Sequence, residues 1–139
     1  MARALSYQTE YQYTLKDERG EDFPAEDRTI WTLKTLNPKE EAFLDDVSRM
    51  EFNKGENNHF DLNMGKQNLH ALYIGLKSVS NFPTEDGSDL VIERNSAQLG
   101  GIKYTEIKDK VLMQIPKEIR QELAQAIMKT DLTEDEAKN

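Results

Sequence analysis

The chain has 139 residues, a formal net charge of −8 and no cysteine. A length of this order suits one domain, so residues 1–139 are expected to form a single domain with flexible termini at residues 1–7 and 131–139. Without cysteine, disulfides, zinc-thiolate sites and iron–sulfur clusters are excluded. The negative charge disfavours direct contact with nucleic acid, which requires a basic footprint.

The sequence gives no sign of export or membrane insertion. Residues 1–7 lack the apolar run of a signal peptide, and no stretch approaches the roughly eighteen uninterrupted apolar residues of a spanning helix. We therefore expect no membrane partner.

An antiparallel β-hairpin is expected in the first part of the chain. Residues 10–15 alternate polar with apolar side chains, which is typical of a strand. Residues 28–34 are rich in β-branched and aromatic side chains and indicate a second strand, in which Trp31 and Leu33 share one face. Residues 16–27 join them and combine many carboxylates with a glycine and a proline, so they are expected to be a mobile acidic loop.

A well-marked helix start follows the hairpin. Asn37 can cap the helix, Pro38 suits its first position, and Glu40 can complete a capping box. The helix should run to about Met50, and residues 52–63 should form a polar loop. The apolar stripe that faces the sheet is expected to consist of Ala42, Phe43, Leu44 and Val47.

The second half is expected to hold three helices and one short strand. A helix is predicted from about 65 to 79, with Gly75 indicating close packing because glycine costs a helix about 1 kcal/mol relative to alanine. Residues 90–94 are predicted to be a short strand at the edge of the hairpin. Residues 105–113 and 116–129 are predicted to be helical. The fold class is therefore α+β, with a small antiparallel sheet (the hairpin plus a third short strand) packed against four to five helices.

No catalytic, cofactor-binding or metal-binding pattern is recognisable. The two histidines, His59 and His70, are not spaced to ligate a metal with another strong ligand, and His70 is expected at a helix surface or boundary. Residues 61–65 resemble the start of a calcium loop, but the glycine comes one position early and Leu72 stands where the final glutamate is needed. We expect no enzymatic activity. An enzyme would need a buried polar cluster joining residues such as His70, Asp61 and Lys66.

Two groups of side chains are candidates for contact with a partner protein. They are the aromatic residues Trp31 and Phe82 and the acidic residues Asp17, Glu18, Glu21 and Asp22. Aromatic anchors carry much of the energy of interfaces, although a core role is favoured for the tryptophan. The carboxylates could dock on a basic partner or reproduce the phosphate spacing of DNA, with a solubilising linker as the alternative.

Three stretches resemble small proteins encoded among the structural genes of tailed phages and prophages. The first is RTIWTLKTLNPKEE (residues 28–41), similar to a strand that runs into a helix in those proteins. The second is LYIGLKSVSNF (72–82) with the Asp-Gly pair that follows, and the third is IPKEIRQELA (115–124) with residues 132–139. The resemblance implies a tail-assembly chaperone or a minor head–tail structural protein, and it supplies no catalytic residues.

The leading hypothesis is accordingly a non-enzymatic protein of phage virion assembly that acts by binding proteins. Its partners would be other phage structural proteins or further copies of itself, in the cytoplasm of the host bacterium or within the virion. The alternative is an acidic phage-encoded inhibitor that blocks a nucleic-acid-binding surface of a host protein.

Overall fold

A computed structural model describes residues 10–54, 64–99 and 101–129. Within these residues the chain forms five strands and four α-helices: β1 (Glu10–Tyr13), β2 (Ile30–Lys34), α1 (Pro38–Lys54), α2 (Met64–Gly75), β3 (Leu76–Ser80), β4 (Arg94–Leu99), β5 (Ile102–Ile107), α3 (Asp109–Leu112) and α4 (Lys117–Met128). The fold is α+β, as predicted. No helix in the described ranges is long and apolar enough to cross a membrane. The predictions for residues 1–7, 55–63 and 131–139 fall outside these ranges.

The first two strands form the predicted hairpin. β1, β2 and β3 make an antiparallel sheet in that order, with Tyr13 opposite Trp31 and Trp31 opposite Val79. Because side chains alternate across a strand, Trp31 and Leu33 both point into the core, and both are fully buried. Their predicted shared face is confirmed.

The third strand comes from a different segment than predicted. The helix predicted over 65–79 ends at Gly75, and Leu76–Ser80 continues as β3 along β2. Glycine commonly terminates helices, and Val79 favours a strand. The prediction of an edge strand at 90–94 is wrong, since residues 90–93 lie outside the strands and Val91 is 68% exposed.

A β-hairpin replaces the start of the helix predicted at 105–113, since residues 105–107 belong to a strand. β4 pairs antiparallel with β5, with Leu99 opposite Ile102, so the paired ends of the two strands are only three positions apart in the sequence. Gly101 has a positive φ of 83°, which glycine adopts without the steric cost borne by other residues. Only Asp109–Leu112 of the predicted segment is α-helical.

The predicted capping box opens α1. The Asn37 Oδ1 accepts a hydrogen bond from the Glu40 backbone N–H at 2.8 Å, and the Glu40 Oε1 accepts one from the Asn37 N–H at 2.9 Å. The helix extends to Lys54, beyond the predicted end. Leu44 is buried as predicted, whereas Ala42 is exposed because it lies just off the packed face.

The segment at residues 16–27, expected to be mobile, is held in place by hydrogen bonds. It contains two short 3-10 turns, Lys16–Glu18 and Ala25–Asp27. The Arg28 guanidinium donates to the Gly20 carbonyl at 3.1 Å, and the Glu18 carboxylate accepts from the Thr29 N–H at 2.7 Å. These bonds close the segment onto the start of β2.

Helix α2 lies at the centre of the molecule and contacts α1, α4, β3 and β5. Its contact with α4 is close at Gly75, where an added Cβ would lie 2.4 Å from the Ile127 Cγ2. The close packing predicted for this glycine is therefore confirmed. Helix α4 is also tied to β1, because the Tyr13 hydroxyl donates to the Glu122 carboxylate at 2.7 Å.

Candidate partner-binding groove

The aromatic candidates from the sequence lie in or against the core. Trp31 is 0% exposed, and its ring packs on the half-buried Phe82 with 5.0 Å between ring centroids. A fully buried side chain offers no surface to a partner. Trp31 therefore has the core role that the sequence favoured.

The four acidic candidates lie where β1 connects to β2. Asp17, Glu21 and Asp22 are exposed, whereas Glu18 is half-buried and holds the Thr29 N–H. Three carboxylates thus face solvent on an ordered segment. Their part in binding stays a prediction.

The prediction of His70 at a helix surface or boundary is wrong, because its side chain is 2% exposed and lies inside an aromatic cluster. The cluster consists of Phe43 from α1, His70 and Tyr73 from α2, and Tyr104 from β5. The His70 ring centroid lies 5.1 Å from that of Tyr73, 5.3 Å from that of Tyr104 and 5.7 Å from that of Phe43. Pairs at such distances stabilise by about 0.5–1.5 kcal/mol beyond their buried area. The cluster could not be predicted from the sequence pattern, because Tyr104 reaches His70 only through the β4–β5 hairpin.

A groove of about 370 Å³ opens above this cluster. It lies between the start of α1, the end of α2, the start of β3 and β5, and we call it the α1–β5 groove. We call the apolar and aromatic part of its lining the floor, which consists of Phe43, Tyr73, Ile74, Tyr104 and Ile102. Ile102 is 44% exposed, which is unusual for a large aliphatic side chain beside an aromatic cluster. The floor therefore presents apolar surface to solvent in a concave setting.

Charged side chains form the rest of the lining, and we call them the rim. Lys39 from α1, Lys77 from β3 and Lys103 from β5 line the groove, together with Glu40. Glu40 is neutralised by Lys34, whose Nζ lies 2.5 Å from its carboxylate. No carboxylate of the described residues lies within ion-pair distance of the three lining lysines. The groove is therefore locally basic in a chain of net charge −8.

The pKa of Lys77 reflects both its burial and the charges around it. The lysine is half-buried, and burial is the largest of the effects that lower its pKa. Arg94 and Lys34 lower it further, whereas Glu10 and Glu40 raise it. An incoming carboxylate would offset the repulsion from the two cations.

Arg94 fixes one wall of the groove. Its guanidinium donates to the backbone carbonyls of Tyr73 and Leu76, where α2 passes into β3, and it lies 3.4 Å from the Thr105 hydroxyl on β5. Carbonyls at a helix C-terminus carry partial negative charge and favour a cation. Burial lowers the pKa of Arg94. The arginine thereby joins the β4–β5 hairpin to the end of α2.

The described residues supply no metal-binding group of three or more histidine, cysteine or carboxylate side chains. Of the residues that an enzyme was expected to require, His70 lies in the aromatic cluster and Lys66 is half-buried on α2. Asp61 falls outside the described ranges. What the groove offers chemically is apolar contact with a cationic rim.

Comparison of the chain with protein-family models, with curated proteins and with solved structures gives no match in any of the three. The fold and the groove define an α+β protein with one apolar, lysine-rimmed surface. What that surface binds must be inferred from its own residues.

Proposed function

We propose that this protein acts without catalysis, by binding another protein through the α1–β5 groove during assembly of a tailed-phage particle. The observation that carries the binding role is an exposed apolar floor surrounded by three lysines without an ion-pair partner among the described residues. Protein interfaces commonly have an apolar centre and a polar rim. A cleft of this volume can accept one or two side chains of a partner.

The setting in phage assembly is supported by the three stretches that resemble phage morphogenesis proteins. In the first of them, residues 28–41, strand β2 leads directly into the capped helix α1, which is the order the resemblance implies. A groove that covers an apolar segment of a virion protein would serve a chaperone, and the same contact made permanent would serve a minor component of the particle.

The test is affinity capture with the tagged full-length chain, from bacteria that express the neighbouring phage genes. Ile102→Asp places a charge on the groove floor and should abolish capture of the partner. Val91→Asp is the matched control, because Val91 is also exposed and apolar but does not line the groove. Circular dichroism spectra should show that both variants fold. Equal capture by both variants would contradict binding through the groove.

Mass spectrometry then tests the phage assignment. The captured protein should be one that is found in purified virions or in their precursors. A partner that belongs to host metabolism would contradict a role in assembly.

The inhibitor hypothesis keeps one supporting observation, the exposed carboxylates of Asp17, Glu21 and Asp22 on a hydrogen-bonded segment. A fixed array of carboxylates is what imitation of a phosphate backbone requires. Replacing the three residues by asparagine or glutamine should then abolish partner capture, whereas Ile102→Asp should leave it intact. The groove hypothesis predicts the reverse.

A further inference from the structure

We infer that the α1–β5 groove takes a short acidic segment of the partner protein that carries at least one large apolar side chain. This inference rests on the proposed function and names the chemistry of the partner. Its basis is the pairing of lysines with an apolar floor in the same groove.

The lysines converge from three separate elements. Lys39 stands on the first turn of α1, Lys77 near the start of β3, and Lys103 on β5, and all three line the same groove. The whole chain has 26 acidic against 18 basic residues, so a groove with three lysines and a single, already paired carboxylate differs from the surface average. Positive potential in a concave surface raises the local concentration of acidic ligands.

Two further cations lie near the groove. Burial is the largest cause that lowers the pKa of Lys77, and Arg94 and Lys34 lower it further, whereas the carboxylates of Glu10 and Glu40 raise it. Each of the two is already fixed, Lys34 by Glu40 and Arg94 by the backbone carbonyls of Tyr73 and Leu76. Arg94 therefore adds positive charge beside the groove and the Lys34–Glu40 pair adds none, while the three lining lysines remain available to a ligand.

The apolar floor selects a peptide over a polyanion. Ile102 lines the groove and exposes 44% of its surface, and burying it requires an apolar group from the ligand. Tyr73 is almost fully buried, so it offers no open face on which a nucleic-acid base could stack. A nucleic acid would also meet repulsion from the net charge of −8 beyond the groove.

The acidic segment at residues 16–27 of a second copy fits the groove less well than a separate partner does. Its acidic segment at residues 16–27 is closed onto β2 by Arg28 and by the Glu18–Thr29 hydrogen bond. Phe23, the large apolar residue of that segment, is half-buried in its own chain. The segment thus offers charge without a free apolar anchor.

The test is fluorescence anisotropy with the full chain and a labelled decapeptide of aspartate and glutamate around a central leucine. Binding is expected, and it should weaken as salt is added. Two matched peptides should bind at least about tenfold more weakly, one with lysine in place of every acidic residue and one with serine in place of leucine, a difference that corresponds to ~1.4 kcal/mol.

Charge reversal on the protein locates the binding. Lys103→Glu should weaken binding of the acidic peptide by at least about tenfold, again ~1.4 kcal/mol. Lys117→Glu, the same change on an exposed residue of α4 outside the groove, should leave it within about twofold, or ~0.4 kcal/mol. Equal loss in both variants would overturn the placement in the groove. Tighter binding of a DNA oligonucleotide than of the peptide would overturn the choice of ligand. The choice would also be overturned if sedimentation showed concentration-dependent dimers of the wild-type chain and Lys103→Glu abolished them.

Failure of this inference is distinguishable from failure of the proposed function. If no peptide binds but Ile102→Asp still abolishes capture of the cellular partner, the acidic chemistry is wrong and the groove role stands. If the acidic peptide binds but Ile102→Asp leaves capture unchanged, the groove chemistry stands and the proposed function is wrong.

Discussion

Replacing Gly75 by alanine should lower the free energy of unfolding, because the site has no room for a methyl group. An added Cβ would lie 2.4 Å from the Cγ2, 2.8 Å from the Cγ1 and 2.9 Å from the Cδ1 of Ile127. Favourable carbon–carbon contacts are about 3.5–4.0 Å long. Ile127 is 1% exposed and β-branched, so its Cγ atoms cannot turn away without a new clash.

Two opposing effects set the magnitude. Overpacking a well-packed core costs typically about 1–3 kcal/mol, and contact with three atoms of one buried residue favours the upper part of that range. Alanine gains up to about 1 kcal/mol over glycine inside a helix, but Gly75 is the last residue of α2 and gains less. We therefore expect a net loss of about 1–2 kcal/mol.

Urea unfolding of four proteins measures the effect: wild type, Gly75→Ala, Ile127→Ala and the double variant. Ile127→Ala alone should cost about 2–5 kcal/mol, because it leaves a cavity. In the double variant the new methyl enters that space, so the total should be smaller than the sum by at least about 1 kcal/mol. Gly20→Ala is the control, since the nearest atom to its added Cβ is 4.0 Å away, and it should change stability by less than about 0.5 kcal/mol. A neutral Gly75→Ala, or strict additivity in the double variant, would refute the packing described for α2 and α4.

Three further predictions concern local hydrogen bonds and titration. Asn37→Ala should cost about 1 kcal/mol in urea unfolding, because the capping box loses its acceptor, and Asn37→Asp should restore most of it. Burial raises the pKa of Tyr13, where a hydrogen bond to a glutamate adds to the effect, and raises that of Tyr73 to about 12. Unfolded tyrosine titrates at ~10, so the stability linked to these protonated tyrosines should be complete below that pH and be lost as the pH rises from there towards 12. Unfolding experiments followed by tyrosinate absorbance measure this loss, and unchanged stability over that pH range would contradict it. Hydrogen bonds from Ser88 and, to a smaller extent, Thr84 hold the pKa of Asp86 at about 2. The stabilisation of the turn by this carboxylate should therefore be present above pH ~4 and be lost as the pH falls through the folded pKa. NMR titration measures that pKa, and a value of ~4 would contradict these hydrogen bonds.

Local signals in the sequence predict the parts of the fold that depend on local interactions. The capping box at Asn37 involves residues three positions apart, and the alternation of Trp31 and Leu33 is a property of one strand. The position of Gly75 in a predicted apolar helix likewise indicated close packing at that residue. Each of these features forms as predicted.

The errors occur where pairing between distant segments decides the structure. Leu76 continues the helical spacing of α2, yet it begins β3 because β2 offers hydrogen-bonding partners there. Residues 102–107 carry β-branched side chains and follow a glycine pair, which is a signal for a two-residue hairpin, whereas the sequence prediction placed a helix from residue 105. The β4–β5 hairpin brings Tyr104 to His70, so the helix predicted at 105–113 also left the aromatic cluster and the groove above it unpredicted.

The groove could not be predicted from any one stretch of sequence. Lys39, Lys77 and Lys103 are far apart in the chain and become neighbours only when α1, β3 and β5 pack around α2. The acidic residues at 17–22, in contrast, are close together in the sequence, so they form a run of charge that is visible without the fold. Interaction surfaces are three-dimensional patches, so linear charge runs are a poor guide to them.

The most direct test of the groove as a binding surface is site-specific photo-crosslinking in bacteria that express the neighbouring phage genes. A photoreactive amino acid in place of Ile102 should form a crosslink to one defined protein, and mass spectrometry should locate the attachment in a segment rich in aspartate and glutamate. The same amino acid in place of Val91 should not capture that protein. A crosslink to that protein from position 91 but not from position 102 would contradict the account.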